Sequence, residues 1–219
     1  MQGFFKLFKN NFSPRHDLSR PVRAGLKKAL TAAAARRNLS NPTARKDDMA
    51  RIPYYDPEAA EAATREFIDR MPRLNIFRML GHAGRTGTDF IRLGSSILLR
   101  SGLDPALREL AIIRTGILCG SSYEVHQHRE IGRLMGLSPE KLDALSGEPS
   151  SPPFSDLELL ALRYTEEIVN GRRGSGETLA GLDGRLGHAR LVELTIAIIY
   201  YMGVSCFLET FGIEIEKKE

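Results

Sequence analysis

Four polar residues around one predicted helix–helix joint have the types that proton transfer requires. Glu124 and His128 are four residues apart, so on a helix they share one face. Ser121 lies one turn before Glu124, and Glu109 lies on the preceding predicted helix. An imidazole titrates near neutrality, and a carboxylate can orient it or carry a second proton. The spacing therefore predicts an acid–base site formed by Glu109, Glu124 and His128.

Two predicted helices position these residues. Asp104 followed by Pro105 is typical of an N-cap and a first helical turn. The apolar residues that follow recur at three- and four-residue steps, which predicts a helix facing the core: Leu107, Leu110, Ala111, Ile113, Ile117 and Leu118. Small residues interrupt the pattern at Gly120–Ser122, and a second helix is predicted from Tyr123 to Met135.

The rest of the sequence also predicts helices and no strands. Capping residues and apolar spacing indicate one further helix that ends near residue 69 and one that begins at residue 138. They also indicate helices over 75–81, 88–99, 155–170, 178–186 and 188–211. No segment shows the alternation of apolar and polar residues that is typical of a strand. The predicted fold class is all-α.

A weak internal repeat relates two of these helices. The segment 108–112 is similar to 192–196, and Ser121 corresponds to Ser205 at the same offset of 84 residues. The second copy has Gly212 where the first has His128, so only the first is equipped for proton transfer. Chance similarity between two buried helices is the alternative explanation.

The composition fits a globular protein without a membrane span. Hydrophobic residues make up 42% and charged residues 26% of the chain, which is typical of soluble domains. The longest apolar run, Leu194–Phe207, is too short to span a bilayer and contains Gly203 and Ser205, so it predicts a buried helix. The two cysteines, Cys119 and Cys206, do not form a disulfide framework, and a cytoplasmic location is expected.

Basic residues are concentrated at the N-terminus. Residues 1–48 contain eleven Lys/Arg against three Asp/Glu, and the remainder contains 20 against 24. The division predicts a basic tail at 1–48 and a mildly acidic domain at 49–219, which is not the charge of a nucleic-acid-binding domain. The tail has three interpretations: a start codon placed upstream of a native start at Met49, a disordered or targeting segment, or a functional basic tail.

Several blocks of sequence together resemble one known family. They are RIPY from Arg51, DPE from Asp56, PRLNIFRMLGH at Pro72–His82, LDPALRELAIIR at Leu103–Arg114, and SSYEVHQH at Ser121–His128. These blocks resemble the carboxymuconolactone decarboxylase family, the wider group that contains the alkylhydroperoxidase D proteins. The resemblance spans Ile52 to Ile215. It implies an alkylhydroperoxidase D-like fold with helices packed orthogonally around a central pair, and assembly into homotrimers or homohexamers.

The peroxidase branch of that family carries an acid, two cysteines two residues apart, and a histidine. The resemblance places the acid at Glu109, the histidine at His128, the first cysteine at Ser121 and the second at Glu124. Both thiols are absent, which weakens the inference of peroxidase activity, because a hydroxyl has no redox cycle comparable to a thiol's. The nearby thiol is Cys119, which is either a buried structural residue or a displaced peroxidatic cysteine.

Three further residues have a binding interpretation and a structural one. Ser121 either contacts substrate or caps the second helix, and Tyr123 either donates to a substrate oxygen or lies at the helix start. Arg114, on an apolar helix, either clamps a substrate carboxylate or pairs with a glutamate. No metal site is predicted, because Glu124 and His128 share a face but His126 points elsewhere.

Three functions follow from these residues. The first is a cofactor-free decarboxylase-like enzyme that performs acid–base chemistry on a small carboxylated or lactone-type metabolite. The second is an alkylhydroperoxidase- or peroxiredoxin-type thiol peroxidase that uses Cys119. The third is a non-catalytic oligomeric helical protein.

Overall fold

A computed structural model describes residues 50–56, 62–150 and 152–216. The predicted tail at 1–48 lies outside these residues. The described part contains eight α-helices, one short 3-10 turn at Gly81–Ala83 and no strand, so the all-α prediction is confirmed. The helices are α1 Ala62–Asp69, α2 Asn75–Leu80, α3 Gly84–Arg100, α4 Pro105–Leu118, α5 Ser122–Leu134, α6 Pro139–Ala144, α7 Asp156–Gly171 and α8 Gly176–Phe211.

The helix starts are set by the capping residues that the sequence predicts. The Asp104 carboxylate accepts the backbone N–H of Leu107 at 2.9 Å, and Ser155 forms a reciprocal capping box with Glu158. Helix α3 differs, because it begins at Gly84 rather than at the predicted residue 88. Its first turn is polar and carries no apolar pattern, so periodicity detects the helix only from its second turn.

The described residues fall into two compact units. One unit comprises the described residues up to Ser96 together with those from Phe211. Within it, Tyr54 donates to Glu214, and the backbone N–H of Asn75 donates to a Glu216 carboxylate oxygen at 2.6 Å. These bonds join the C-terminal segment to residues near the beginning of the described chain.

The second unit, Ile97–Thr210, holds the main hydrophobic core. Helix α4 packs against both α5 and α7. The core side chains from α4, α6, α7 and α8 are almost fully buried: Leu110, Ala111, Ile113, Leu142, Ala161, Leu162, Leu182, Leu194 and Ile198. The side chains of α4 are buried on nearly all sides, and its polar groups consequently lie inside the protein.

The joint between α4 and α5 is a helix-ending turn that depends on glycine. Gly120 has φ +71°, and the N–H groups of Gly120 and Ser121 donate to the carbonyls of Ile117 and Gly116 at 3.0 and 2.9 Å. This is the Schellman pattern of a helix C-terminus. Gly116 also allows close approach, because a Cβ there would lie 3.3 Å from the Cβ of Glu124. The joint thus brings α5 directly against α4.

Helix α8 is two helices joined at Gly187, whose φ of 74° and ψ of 159° are not helical. The break agrees with the separate helices predicted at 178–186 and 188–211. By length and composition alone, α8 is apolar enough to cross a membrane. The core helix of a soluble protein meets the same criterion, and 44% of its most apolar window is buried inside the protein.

Candidate functional site

Glu109, His128 and Glu124 lie together inside the second unit. His128 Nδ1 is 2.7 Å from Glu109 Oε2, and its Nε2 is 3.0 Å from Glu124 Oε1. The three side chains are almost wholly buried, and Glu109 has no exposed surface. The imidazole is therefore held between two carboxylates, one from α4 and one from its own helix α5.

Two residues that the sequence analysis missed complete this cluster. Arg108 is 3% exposed, and its Nε and Nη2 both donate to Glu109 Oε1 at 3.2 Å. Tyr201 of α8 places its ring edge-on to the His128 imidazole, with the centroids 4.7 Å apart. The sequence did signal Arg108 as a candidate, because it is a charged residue on a helix of mostly apolar residues. Tyr201 gave no local signal, because its role depends on how α8 packs.

The two carboxylates keep His128 protonated. Burial disfavours the charged imidazole, but the negative charges of Glu124 and Glu109 outweigh it and raise the pKa of His128 to about 10. The pKa of Tyr201 is raised well above its ordinary value, first by burial and then by the same carboxylates. At neutral pH the cluster thus holds a protonated imidazolium, which donates to Glu109, beside an un-ionised phenol.

Some buried oxygens near this cluster have no hydrogen-bond partner within the described chain. They are the hydroxyls of Ser121 and Ser205. Ser121 occupies the N-cap position of α5, yet its hydroxyl does not cap the helix. The two serines correspond in the internal repeat. A buried polar group without a partner is costly, so these oxygens are candidates to bind a substrate.

Cys119 lies at the C-terminal cap of α4 and is partly buried. Burial raises the pKa of its thiol, and the nearby Cys206 thiol and Glu124 carboxylate add to this effect, outweighing Arg172 and Ser205. Sequence alone did not show that Cys206 lies near Cys119. The raised pKa favours the thiol over the reactive thiolate.

Arg114 makes its described contacts outside the cluster. Its guanidinium donates twice to Glu166 and also to the carbonyls of Leu145 and Gly147, at 2.7 and 2.8 Å. It therefore ties α4 to α7 and to the loop after α6, which fits the glutamate-pairing interpretation rather than the substrate clamp. Tyr123 is 3% exposed, and His126 is exposed.

Replacing Arg114 with methionine is expected to reduce stability without altering substrate binding. The change removes the donors of Glu166 and of two backbone carbonyls, at a cost of about 2–3 kcal/mol in the free energy of unfolding. Urea unfolding measures this cost. The matched control is Arg163→Met, whose pairing with Glu177 is exposed and should matter less. A raised KM at unchanged stability would instead support the substrate clamp.

No group of three or more His, Cys, Asp or Glu side chains in the described chain is placed to hold a metal ion. The cluster of Glu109, Glu124 and His128 is held by its own ion pairs and by Arg108. Its chemistry, as far as these side chains define it, is the holding and transfer of a proton.

Comparisons with known proteins agree with this fold. Residues 86–167 match the carboxymuconolactone decarboxylase family, a segment that contains Glu109, Ser121, Glu124 and His128. The matched segment is narrower than the 52–215 span of the sequence resemblance. No curated protein matches the chain.

One similar solved structure comes from Agrobacterium tumefaciens. It is a protein of unknown function, described as a candidate antioxidant defence protein AhpD. It is 18% identical with a TM-score of 0.57, and the match covers 61% of this chain and 92% of that one. At this identity the likeness concerns the fold. The chain thus has an AhpD-like helical fold, and its segment at 86–167 is similar to the carboxymuconolactone decarboxylase family.

Proposed function

We propose that this protein is a cofactor-free acid–base enzyme that acts on a small carboxylated or lactone-type metabolite. The observation that carries the proposal is the buried Glu109–His128–Glu124 array, with separations of 2.7 and 3.0 Å. Such an array holds a proton on His128, and the neighbouring carboxylate of Glu124 can accept that proton. The similarity of residues 86–167 to the carboxymuconolactone decarboxylase family and the unpartnered hydroxyls of Ser121 and Ser205 also support it.

In the proposed reaction the substrate carboxylate leaves as carbon dioxide. The electron pair of the broken carbon–carbon bond passes into the lactone as an enolate, and a proton then adds to carbon. His128 supplies that proton from Nε2 through Glu124, while Glu109 and Arg108 hold the imidazole in place. The imidazolium charge also stabilises the enolate as it forms, an effect that is strong in a buried site.

The thiol peroxidase is less well supported. Peroxide reduction requires a thiolate, and burial together with Cys206 raises the pKa of Cys119. Ser121 and Glu124 occupy the two positions of the peroxidase thiols and cannot replace them. The non-catalytic protein remains the third candidate.

One set of assays separates the three candidates. The full chain is tested on a panel of carboxylated lactones and, separately, on an organic hydroperoxide with excess dithiol. We expect lactone turnover that survives Cys119→Ser and is lost in His128→Ala while circular dichroism shows the fold intact. Peroxide consumption that disappears in Cys119→Ser would replace the proposal with the peroxidase. Turnover of neither substrate class would favour the non-catalytic protein.

A further inference from the structure

The hydroxyls of Ser121 and Ser205 are buried, and neither has a hydrogen-bond partner within the described chain. Ser121 is 1% and Ser205 is 0% exposed. Other buried hydroxyls of the same unit are bonded, since those of Thr115 and Thr165 each donate to the carbonyl four residues earlier, at 2.8 Å. A buried hydroxyl without a partner is costly, so two of them beside one candidate site call for a common explanation.

Ser121 does not use its hydroxyl as a serine in its position ordinarily does. It is the N-cap residue of α5, where a serine usually accepts a backbone N–H of the first helical turn. The backbone of Ser121 is extended, with φ −89° and ψ 97°, yet no such bond forms. Departures from a local rule of this kind are expected at functional sites. The hydroxyl is thus available to bind a group outside its own helix.

Two contacts indicate that α8 runs antiparallel to α5, which places Ser205 near Ser121. The Tyr201 ring lies against His128, with the centroids 4.7 Å apart. Ser205 is one turn further along α8, and its hydroxyl lies close enough to the Cys119 thiol, just before the start of α5, to lower the pKa of that thiol. One turn forward on α8 therefore corresponds to a step back along α5, from His128 towards Ser121.

The two serines consequently flank the Glu124 end of the buried array. Glu124 lies on α5 between Ser121 and His128, and its carboxylate is 3.0 Å from Nε2 of the imidazole. Nδ1 is bonded to Glu109 at 2.7 Å, so both ring N–H groups are committed to carboxylates. An oxyanion that develops on a substrate beside Glu124 needs donors from outside the array. The two hydroxyls are such donors, since each can give one O–H.

The neighbouring Cys119 thiol does not compete for the Ser205 proton. Burial raises the pKa of this thiol, and Cys206 and Glu124 add to the effect, outweighing Arg172 and Ser205. The thiol is therefore un-ionised at neutral pH, and an un-ionised thiol is a weak acceptor. The Ser205 O–H remains available to a stronger acceptor such as an enolate oxygen.

We propose that Ser121 and Ser205 form an oxyanion hole, in which both hydroxyls donate to the enolate oxygen of the lactone as the substrate carboxylate leaves. The inference rests on the proposed function. The electron pair of the broken carbon–carbon bond becomes the enolate, and the proton supplied through Glu124 then adds to carbon, so both serines keep their protons. Fixed donors aimed at developing charge are especially effective in a buried site.

Removing either hydroxyl should slow the reaction without weakening the fold. Ser121→Ala and Ser205→Ala are expected to keep or raise the midpoint of urea unfolding, because each removes a buried group that has no partner. Turnover of the carboxylated lactone should fall roughly 10²–10³-fold in each, the usual loss for one oxyanion-hole donor. The test is strict at Ser121, because loss of an N-cap serine ordinarily destabilises a protein.

The matched control is Thr165→Val, which removes a buried hydroxyl that is bonded within α7. It should lower the urea midpoint and leave turnover unchanged. A lower midpoint in either serine variant would show that its hydroxyl is bonded within the fold, for example through an ordered water, and would overturn the proposal. Unchanged turnover in either serine variant would also overturn it.

Binding of an enolate analogue tests the same site without turnover. Tetronic acid is a small lactone whose enol is ionised at neutral pH, and γ-butyrolactone has the same ring without the enolate. In isothermal titration calorimetry we expect each serine variant to bind tetronate roughly 10–100-fold more weakly than the wild type does, because each lacks one hydrogen bond to a charged oxygen. γ-Butyrolactone should bind weakly and to a similar extent in all three proteins. Equal tetronate affinity in wild type and variants, or no binding to the wild type, would overturn the proposal.

The two experiments separate failure of this inference from failure of the proposed function. Tetronate binding that depends on both serines, in a protein that turns over no lactone, would support the oxyanion site and refute the proposed reaction. Lactone turnover that survives both substitutions would refute the role of the serines alone.

Discussion

Replacing Glu109 with glutamine is expected to lower turnover by roughly 10²–10⁴-fold, the range contributed by a positioned acid–base group. Glu109 Oε2 accepts from His128 Nδ1 at 2.7 Å, and its other oxygen accepts from the buried Arg108. Glutamine keeps the shape but removes the charge that both cations require. Loss of this buried pairing should also lower the free energy of unfolding by about 3–5 kcal/mol.

The internal repeat offers a matched control for this substitution. Glu193 corresponds to Glu109, but its carboxylate accepts from Ser101 and from the N–H of Gly102, at 2.9 and 3.0 Å. Glu193→Gln should therefore cost stability, about 1–3 kcal/mol, and leave turnover unchanged.

A second measurement separates a loss of proton transfer from simple loss of stability. Nuclear magnetic resonance titration of the His128 imidazole should show a lower pKa in Glu109→Gln than in the wild type, because one of the two flanking charges is gone. The titration needs no substrate. An unchanged His128 pKa together with wild-type turnover would contradict the role that we assign to Glu109.

The helices were predictable because their signals are local. Asp104 and Ser155 mark helix starts through their own side chains, and Gly120 and Gly187 occupy backbone conformations that favour glycine. Such signals act within one or two turns of the chain. Helix α3 shows the limit, because its polar first turn lacks both a cap signal and an apolar pattern.

The candidate site was only partly predictable. Glu124 and His128 share a helix face, so their proximity follows from spacing, and Glu109 was placed by the family resemblance. Tyr201 and Ser205 belong to a helix more than 70 residues later, and their positions depend on tertiary packing. For Arg114 the sequence left two interpretations open, and the bonds of its guanidinium to Glu166 and to a loop carbonyl, which fit the glutamate pairing, depend on tertiary packing as well.

The stability of this protein is expected to fall as pH rises from about 6.5 to about 10. In the folded chain the charges of Glu124 and Glu109 overcome the effect of burial and raise the pKa of His128 from 6.5 to about 10. Between these values the folded state binds one proton more than the unfolded state. The free energy of unfolding should therefore fall by roughly 1.4 kcal/mol per pH unit across this range. Below a pH of about 6.5 the stabilising contribution of the His128 charge is fully present.

Urea unfolding of the wild type and of His128→Gln across this range isolates the effect. Other groups titrate in both proteins, so the difference between the two pH slopes belongs to His128 and to the carboxylates that face it. We expect the wild type to lose stability steeply and the variant to lose less, because glutamine binds no proton. Parallel slopes would show that His128 is neutral in the folded state. The imidazolium could then not be the group that protonates the substrate, and the proposed proton path from His128 would be wrong.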